Sequence, residues 1–155
     1  MILYEDAALV VLDKPAGLSS EEGVPAALRV HWNAPDAFVG VVHRLDTGVS
    51  GLMVYARTPA AAAALSRQVT QSQDAYAVQD GRAEGKAAAP QFVKQYPGGG
   101  QLRVRRTGDG KYGSRQKGSI ALQSCGLRFV HPDTGKPMAF SLPLPAAAPW
   151  KEFLE

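Results

Sequence analysis

The chain has 155 residues, 45% hydrophobic and 20% charged, with a formal net charge of +3 and a single cysteine. That is enough for one domain with its own core. It excludes an internal disulfide and a cysteine-built metal cluster, and no apolar run is long enough to cross a membrane as a helix. The opening Met-Ile-Leu-Tyr-Glu-Asp has neither a basic leader nor an apolar signal core, so a cytoplasmic protein is expected.

Taken in order, residues 2–4 and 8–12 predict two short strands joined by a turn at Glu5-Asp6. Lys14-Pro15-Ala16-Gly17 ends the second strand with a fixed proline and a flexible glycine. Lys14 is expected in solvent, with a phosphate contact as the functional alternative. Residues 19–37 are irregular, with a short helix over 25–32, and His31-Trp32 there suggests base stacking as against a tryptophan packed on the core. Residues 38–42 and 52–56 predict buried strands, separated by the turn formers Asp46-Thr47-Gly48 and Ser50-Gly51. Thr58-Pro59 starts a helix over 60–69 whose alanines allow close packing on a sheet. Further strands are predicted at 74–78, 92–96 and 102–105, with a turn at 97–100. A closing hairpin joins 120–130 to 138–142 through Pro132-Asp133-Thr134-Gly135. Cys125 falls inside it as a small core residue.

The chemistry concentrates at His43, Arg44 and Asp46. In an extended segment Arg44 and Asp46 share a side while Leu45 points to the core. A nearby guanidinium favours the charged carboxylate, and an ionised aspartate in a cleft is a candidate nucleophile or base. The plain structural alternative is a turn-closing Asp46 with a surface ion pair. A second feature is the basic stretch Arg103, Arg105, Arg106, Lys111, Arg115 and Lys117, which fits phosphate binding or a solvated strand and loop. There is no phosphate-cradling glycine loop, and His31, His43 and His131 lack metal-ligand spacing.

His43-Arg44-Leu45-Asp46-Thr47-Gly48-x-Ser50-Gly51-Leu52-x-Val54-x-Ala56 resembles the signature of the RluA-type RNA pseudouridine synthases, and the run from Ile2 to Leu18 resembles that family's first strands. The resemblance implies an α+β domain, with a mixed and mainly antiparallel sheet flanked by helices and loops, that isomerises uridine in ribosomal or transfer RNA. It implies that Asp46 is the catalytic aspartate and that Arg44 helps displace the target base. Tyr76, on the strand after the helix, is implied to stack on that base or move a proton. His43, Thr47, Arg103, Arg105, Arg106 and Lys111 are the expected RNA contacts, His43 also orienting the turn. Neither metal nor cofactor is implied, and a monomer is expected.

The chain departs from the family at three points. Position 74 is Asp where the family has Lys. The distance from Tyr76 to Gly81 is one residue short. Thr107-Gly108 runs directly into Asp109-Gly110-Lys111-Tyr112-Gly113, with no counterpart of the family's basic third motif and its helix. We expect a single catalytic domain over 1–155, with loop segments omitted near residue 20, within 74–91 and at 108–109, and no separate N-terminal RNA-binding domain. Two other classes compete. One is an RNA-binding module that has lost catalysis. The other is an aspartic protease-like hydrolase using the two Asp-Thr-Gly triplets at 46 and 133, which the charge of Arg44 and the tight turn around Asp133 oppose.

Overall fold

The computed structural model describes residues 1–68, 73–77, 94–95 and 122–143, giving the backbone alone for 73–77, 94–95 and 122. Its elements are β1 (Ile2–Glu5), β2 (Leu9–Lys14), α1 (Gly23–His31), β3 (Gly40–Val41), β4 (Ser50–Ala56), α2 (Pro59–Ser66), β5 (Gln73–Ala77), β6 (Lys94–Gln95), β7 (Leu122–Val130) and β8 (Pro137–Ser141). The strands form one sheet in the order β1-β2-β4-β7-β5-β6, with β3 added to β4 and β8 to β7. β4 and β7 pair in parallel, and the other pairs are antiparallel. This is the mixed, mainly antiparallel α+β sheet that the resemblance implied.

A strand has two edges, and the register shows how they are shared. β2 pairs along β4 from Gly51 to Ala56. The other edge of β4 is therefore divided between β7, at Ser50 and Gly51, and β3, at Tyr55 and Ala56. On β7, Gly126 and Leu127 pair with both β5 and β8, so those two strands lie on opposite edges.

Both faces of the β2–β4 centre are covered, because alternate residues point to alternate faces. Leu9 and Val11 join Leu52, Val54 and Ala56 under Ala61 and Leu65 of α2, with Leu127 and Phe129 of β7. Val10 and Leu12 join Met53 and Tyr55 under Val24 and Leu28 of α1, with Leu45 packed at the margin. Each fully buried Val or Leu stabilises by about 1.5–3 kcal/mol, against about 0–1 kcal/mol for an exposed ion pair, so these two layers dominate the fold.

The helix ends follow from their caps. Thr58 Oγ1 accepts the Ala61 N–H at 3.1 Å, with Pro59 in the first turn. The expected close approach of the alanine helix is real: a Cβ on Gly40 would lie 2.9 Å from Ala62 Cβ. α2 ends at Ser66, and just beyond it the Gln68 amide donates to Ala64 C=O at 3.3 Å and bonds both N–H and C=O of Val130 on β7, at 2.8 and 3.1 Å. α1 begins before residue 25, since Ser19 Oγ accepts the N–H groups of Glu21 and Glu22, both at 3.3 Å, and its C=O accepts from Val24.

One predicted strand needs correction. Residues 38–42 were expected to be a buried strand, but β3 is two residues long, and Phe38 and Val41 are exposed at 44% and 39%. The C-terminal end of β3 is set by His43, whose Nε2 accepts the Val54 N–H at 3.0 Å. Its imidazole takes the edge position that a longer β3 would have occupied.

Candidate active site

The turn carrying Asp46 is anchored from outside itself. Asp46 C=O accepts the Val49 N–H at 2.9 Å, closing the turn over Thr47-Gly48. On its N-terminal side, Ser20 Oγ accepts the Leu45 N–H at 3.1 Å and donates to Leu45 C=O. Ser20 is buried, and its own C=O accepts from the Tyr55 hydroxyl at 2.9 Å. Burial pushes the Tyr55 phenol well above its ordinary pKa, so this donor keeps its proton. On the C-terminal side, Thr47 C=O accepts the Gly17 N–H at 2.6 Å.

Beneath the turn lies Lys14, the last residue of β2 and fully buried. Its Nζ donates to Pro15 C=O at 3.1 Å, Leu18 C=O at 2.9 Å and Thr47 C=O at 3.4 Å. Burial lowers its pKa, opposed by the attraction of the Asp46 charge. Lys14 was expected in solvent. The structure corrects this, because β2 is covered on both faces and its final side chain inherits that cover, with three carbonyls supplying the polar partners a buried ammonium requires. One cation thus ties the 15–18 loop to the 46–47 turn and places positive charge under Asp46.

The Asp46 side chain is exposed. Among the described residues its carboxylate accepts no hydrogen bond, and its electrostatic partner is Lys14. Leu45 packs toward the core as the alternation predicted. Arg44, expected to charge-stabilise Asp46, instead pairs with Glu21, Nη1 to Oε1 at 3.5 Å. The reason is positional: Ser20 is locked onto Leu45, so Glu21 faces Arg44.

His43 is placed at the sheet edge by its bond to Val54. Accepting an N–H at Nε2 leaves Nδ1 as the protonated nitrogen of a neutral ring. Thr47 is exposed, and its backbone carbonyl rather than its side chain does the anchoring. Ser50, Gln123 and Tyr76 are consecutive register partners across β4, β7 and β5. The Tyr76 backbone therefore lies two strand spacings, about 10 Å, from Ser50, next to a register shift between Asp74 and Ala75. Arg103, Arg105, Arg106 and Lys111 lie outside the described residues, as do the departures from the family at 81 and 107–113.

Gly51, inside the motif, has φ +129° and sits against Ser124, so that any Cβ would collide with the β7 backbone. The parallel β4–β7 junction beside the turn requires glycine there. Sequence reasoning missed Ser20 and Glu21 as parts of the site, and it weighed Lys14 as a solvated residue or a phosphate contact, not as a buried anchor. Their one local signal is proximity to Pro15-Ala16-Gly17, and it says nothing of contact with a turn some 30 residues on.

The other suggested residues resolve as packing. Trp32 stands against the α1 layer, donates Nε1–H to Glu5 and carries the Arg57 guanidinium 4.5 Å over its ring. His31 Nε2 lies 3.1 Å from Glu5. Cys125 is buried, as expected. Asp133 is exposed on the β7–β8 turn, near the Asp6 end of β2, whereas Asp46 is near the Lys14 end. Six strand residues, about 17 Å, separate those ends, so the two Asp-Thr-Gly triplets build no shared-proton dyad.

Against known proteins, the family model for RNA pseudouridylate synthase matches residues 8–91, more than half of the chain. "Ribosomal large subunit pseudouridine synthase D" of Xylella fastidiosa is 42% identical over 81 residues, covering 46% of this chain and 24% of that protein. "Dual-specificity RNA pseudouridine synthase RluA" of Vibrio vulnificus is 41% identical over 76 residues, covering 43% and 28%. The chain thus spans about a quarter of the length of these relatives. In fold it is similar to human "RNA Pseudouridylate Synthase Domain Containing 1", with a TM-score of 0.62 at 18% identity, over 94% of this chain and 84% of that one.

Proposed function

The chain belongs to the RNA pseudouridylate synthase family, and on that footing we propose that it isomerises uridine to pseudouridine in structured RNA, ribosomal or transfer, in the cytoplasm, with Asp46 as the central catalytic group. The observation that carries the proposal is the presentation of Asp46. Within the family-matched segment, an exposed carboxylate stands on a turn fixed by Lys14 and Ser20.

The reaction breaks the bond from uracil N1 to C1′ of ribose and makes one from C5 to C1′. C5 loses its proton to solvent and N1 gains one, so no oxidant or energy source is consumed. The base must first leave its stack, at a cost of a few kcal/mol. Arg44, exposed beside Asp46, is suited to hold a phosphate or fill the vacated space. Lys14 holds the Asp46 turn in place and sets a cation beneath the carboxylate that acts at the sugar or base. Tyr76 is the proposed stacking partner for the base.

Nucleoside analysis after incubation with ribosomal and transfer RNA tests the proposal and identifies the substrate pool. Pseudouridine is expected from one pool with the wild-type chain and from neither with Asp46→Asn. RNA binding without product in any pool would replace the proposal with the binding-module alternative.

A further inference from the structure

Beside the Asp46 turn, Arg44 forms an exposed ion pair with Glu21, a residue to which the proposed reaction gives no role. Arg44 Nη1 lies 3.5 Å from Glu21 Oε1, and the two side chains are 66% and 61% exposed. Their meeting is built by the backbone. Ser20 bonds both N–H and C=O of Leu45, while Tyr55 holds the Ser20 carbonyl. The Glu21 N–H is held in turn by Ser19 Oγ at 3.3 Å. One residue along each segment from the Ser20–Leu45 clamp, Glu21 and Arg44 face each other.

An exposed pair of this kind biases an equilibrium by no more than about five-fold. That is weak enough to be exchanged for a phosphate, which binds a guanidinium through two parallel charge-assisted hydrogen bonds. We infer that Glu21 is a positioning residue for Arg44. It holds the guanidinium at the lip of the Asp46 turn in the free protein and yields it to an RNA phosphate when substrate docks. The inference rests on the proposal that RNA is the substrate. Glu21 then restrains an otherwise mobile arginine at the site and competes with non-cognate phosphates, so it tunes RNA affinity rather than the chemical step.

The test is a double-mutant cycle on the full chain, with a fluorescein-labelled large-subunit ribosomal RNA transcript as the probe. Glu21→Gln is expected to bind about two- to five-fold more tightly, with KM lowered by the same factor and kcat within about two-fold. In an Arg44→Gln background most of that gain disappears, because the competitor no longer has a cation to hold. Thermal melting of Glu21→Gln stays close to wild type, since both side chains are exposed. Weaker or unchanged binding by Glu21→Gln, or an equal gain in both backgrounds, overturns the inference. Coupling that persists in binding while no RNA yields pseudouridine would leave the inference standing and remove the proposed reaction instead.

Discussion

Asp-Thr-Gly occurs twice in this chain, at 46–48 and at 133–135, and the fold uses the two copies in opposite ways. The second closes the β7–β8 hairpin from local resources. The N–H groups of Asp133 and Thr134 donate to His131 Nδ1, both at 3.2 Å, and the Gly135 N–H donates to His131 C=O from a positive φ of 69°. His131 in turn contacts Asp6, Nε2 to Oδ2 at 2.6 Å. The first copy is held by side chains that arrive from elsewhere, Lys14 from the end of β2 and Ser20 from the loop before α1. At 133 the neighbouring histidine is spent on the turn, and the carboxylate faces solvent. At 46 the scaffolding is done by buried groups, leaving an exposed carboxylate over a buried cation. The copy at 133 reaches a distant residue only through His131 to Asp6, whereas the turn at 46 is itself bonded by side chains from β2 and from the loop before α1.

Breaking the distant anchors should therefore cost more than disturbing the local turn. Lys14→Met should have the largest effect. It leaves the carbonyls of Pro15, Leu18 and Thr47 without their shared donor, an expected loss of about 1–3 kcal/mol, partly offset by removal of a buried charge. Chemical denaturation should show that loss, and activity should fall in kcat more than in KM because the turn loses its floor. Ser20→Ala removes a two-way clamp on Leu45 and is expected to destabilise by about 1–2 kcal/mol, again with a kcat effect.

A third variant probes the opposite end of the sheet. Burial pushes the Asp6 carboxyl upward, but hydrogen bonds from the Leu9 N–H, the Tyr4 hydroxyl, the Ala8 N–H and His131 outweigh it, bringing its pKa down to about 2. An unfolded aspartate titrates near 3.9. The folded form therefore binds fewer protons between these values, so the stabilisation is complete above about pH 4 and is lost as the pH falls through about 2. Asp6→Asn should lower stability near neutral pH by about 1–2 kcal/mol after allowance for partial exposure. Its melting temperature should converge on that of wild type toward pH 2, with catalysis on the remaining folded protein unchanged. The smallest effect is expected from Tyr55→Phe, which removes one hydrogen bond to Ser20 and should cost about 1 kcal/mol.

The sheet was largely legible in the sequence. The apolar runs of β2 and β4, the Thr58-Pro59 start of α2 and the β7–β8 turn are local patterns, and local patterns set these elements. Asp46 was legible for the same reason, as a turn former between two apolar runs with a strong family resemblance. Lys14 was not, because its burial depends on both faces of β2 being covered, which is decided by α1, α2 and β4 together. Nor was the partner of Arg44: spacing placed Arg44 and Asp46 on one side, but the Ser20–Leu45 clamp, 25 residues apart in sequence, delivered Glu21 instead. The C-terminal end of β3 has a similar origin, since His43 caps the β4 edge with a side chain that strand propensity does not anticipate.

The most direct test is tritium release from RNA labelled at uridine C5, run in parallel for the wild-type chain, Asp46→Asn and Asp133→Asn. Release is expected from the wild type, with a loss on the order of 10³-fold or more for Asp46→Asn and release within about two-fold of wild type for Asp133→Asn. Undiminished release by a folded Asp46→Asn, or equal losses in the two variants, would contradict the central role proposed for Asp46.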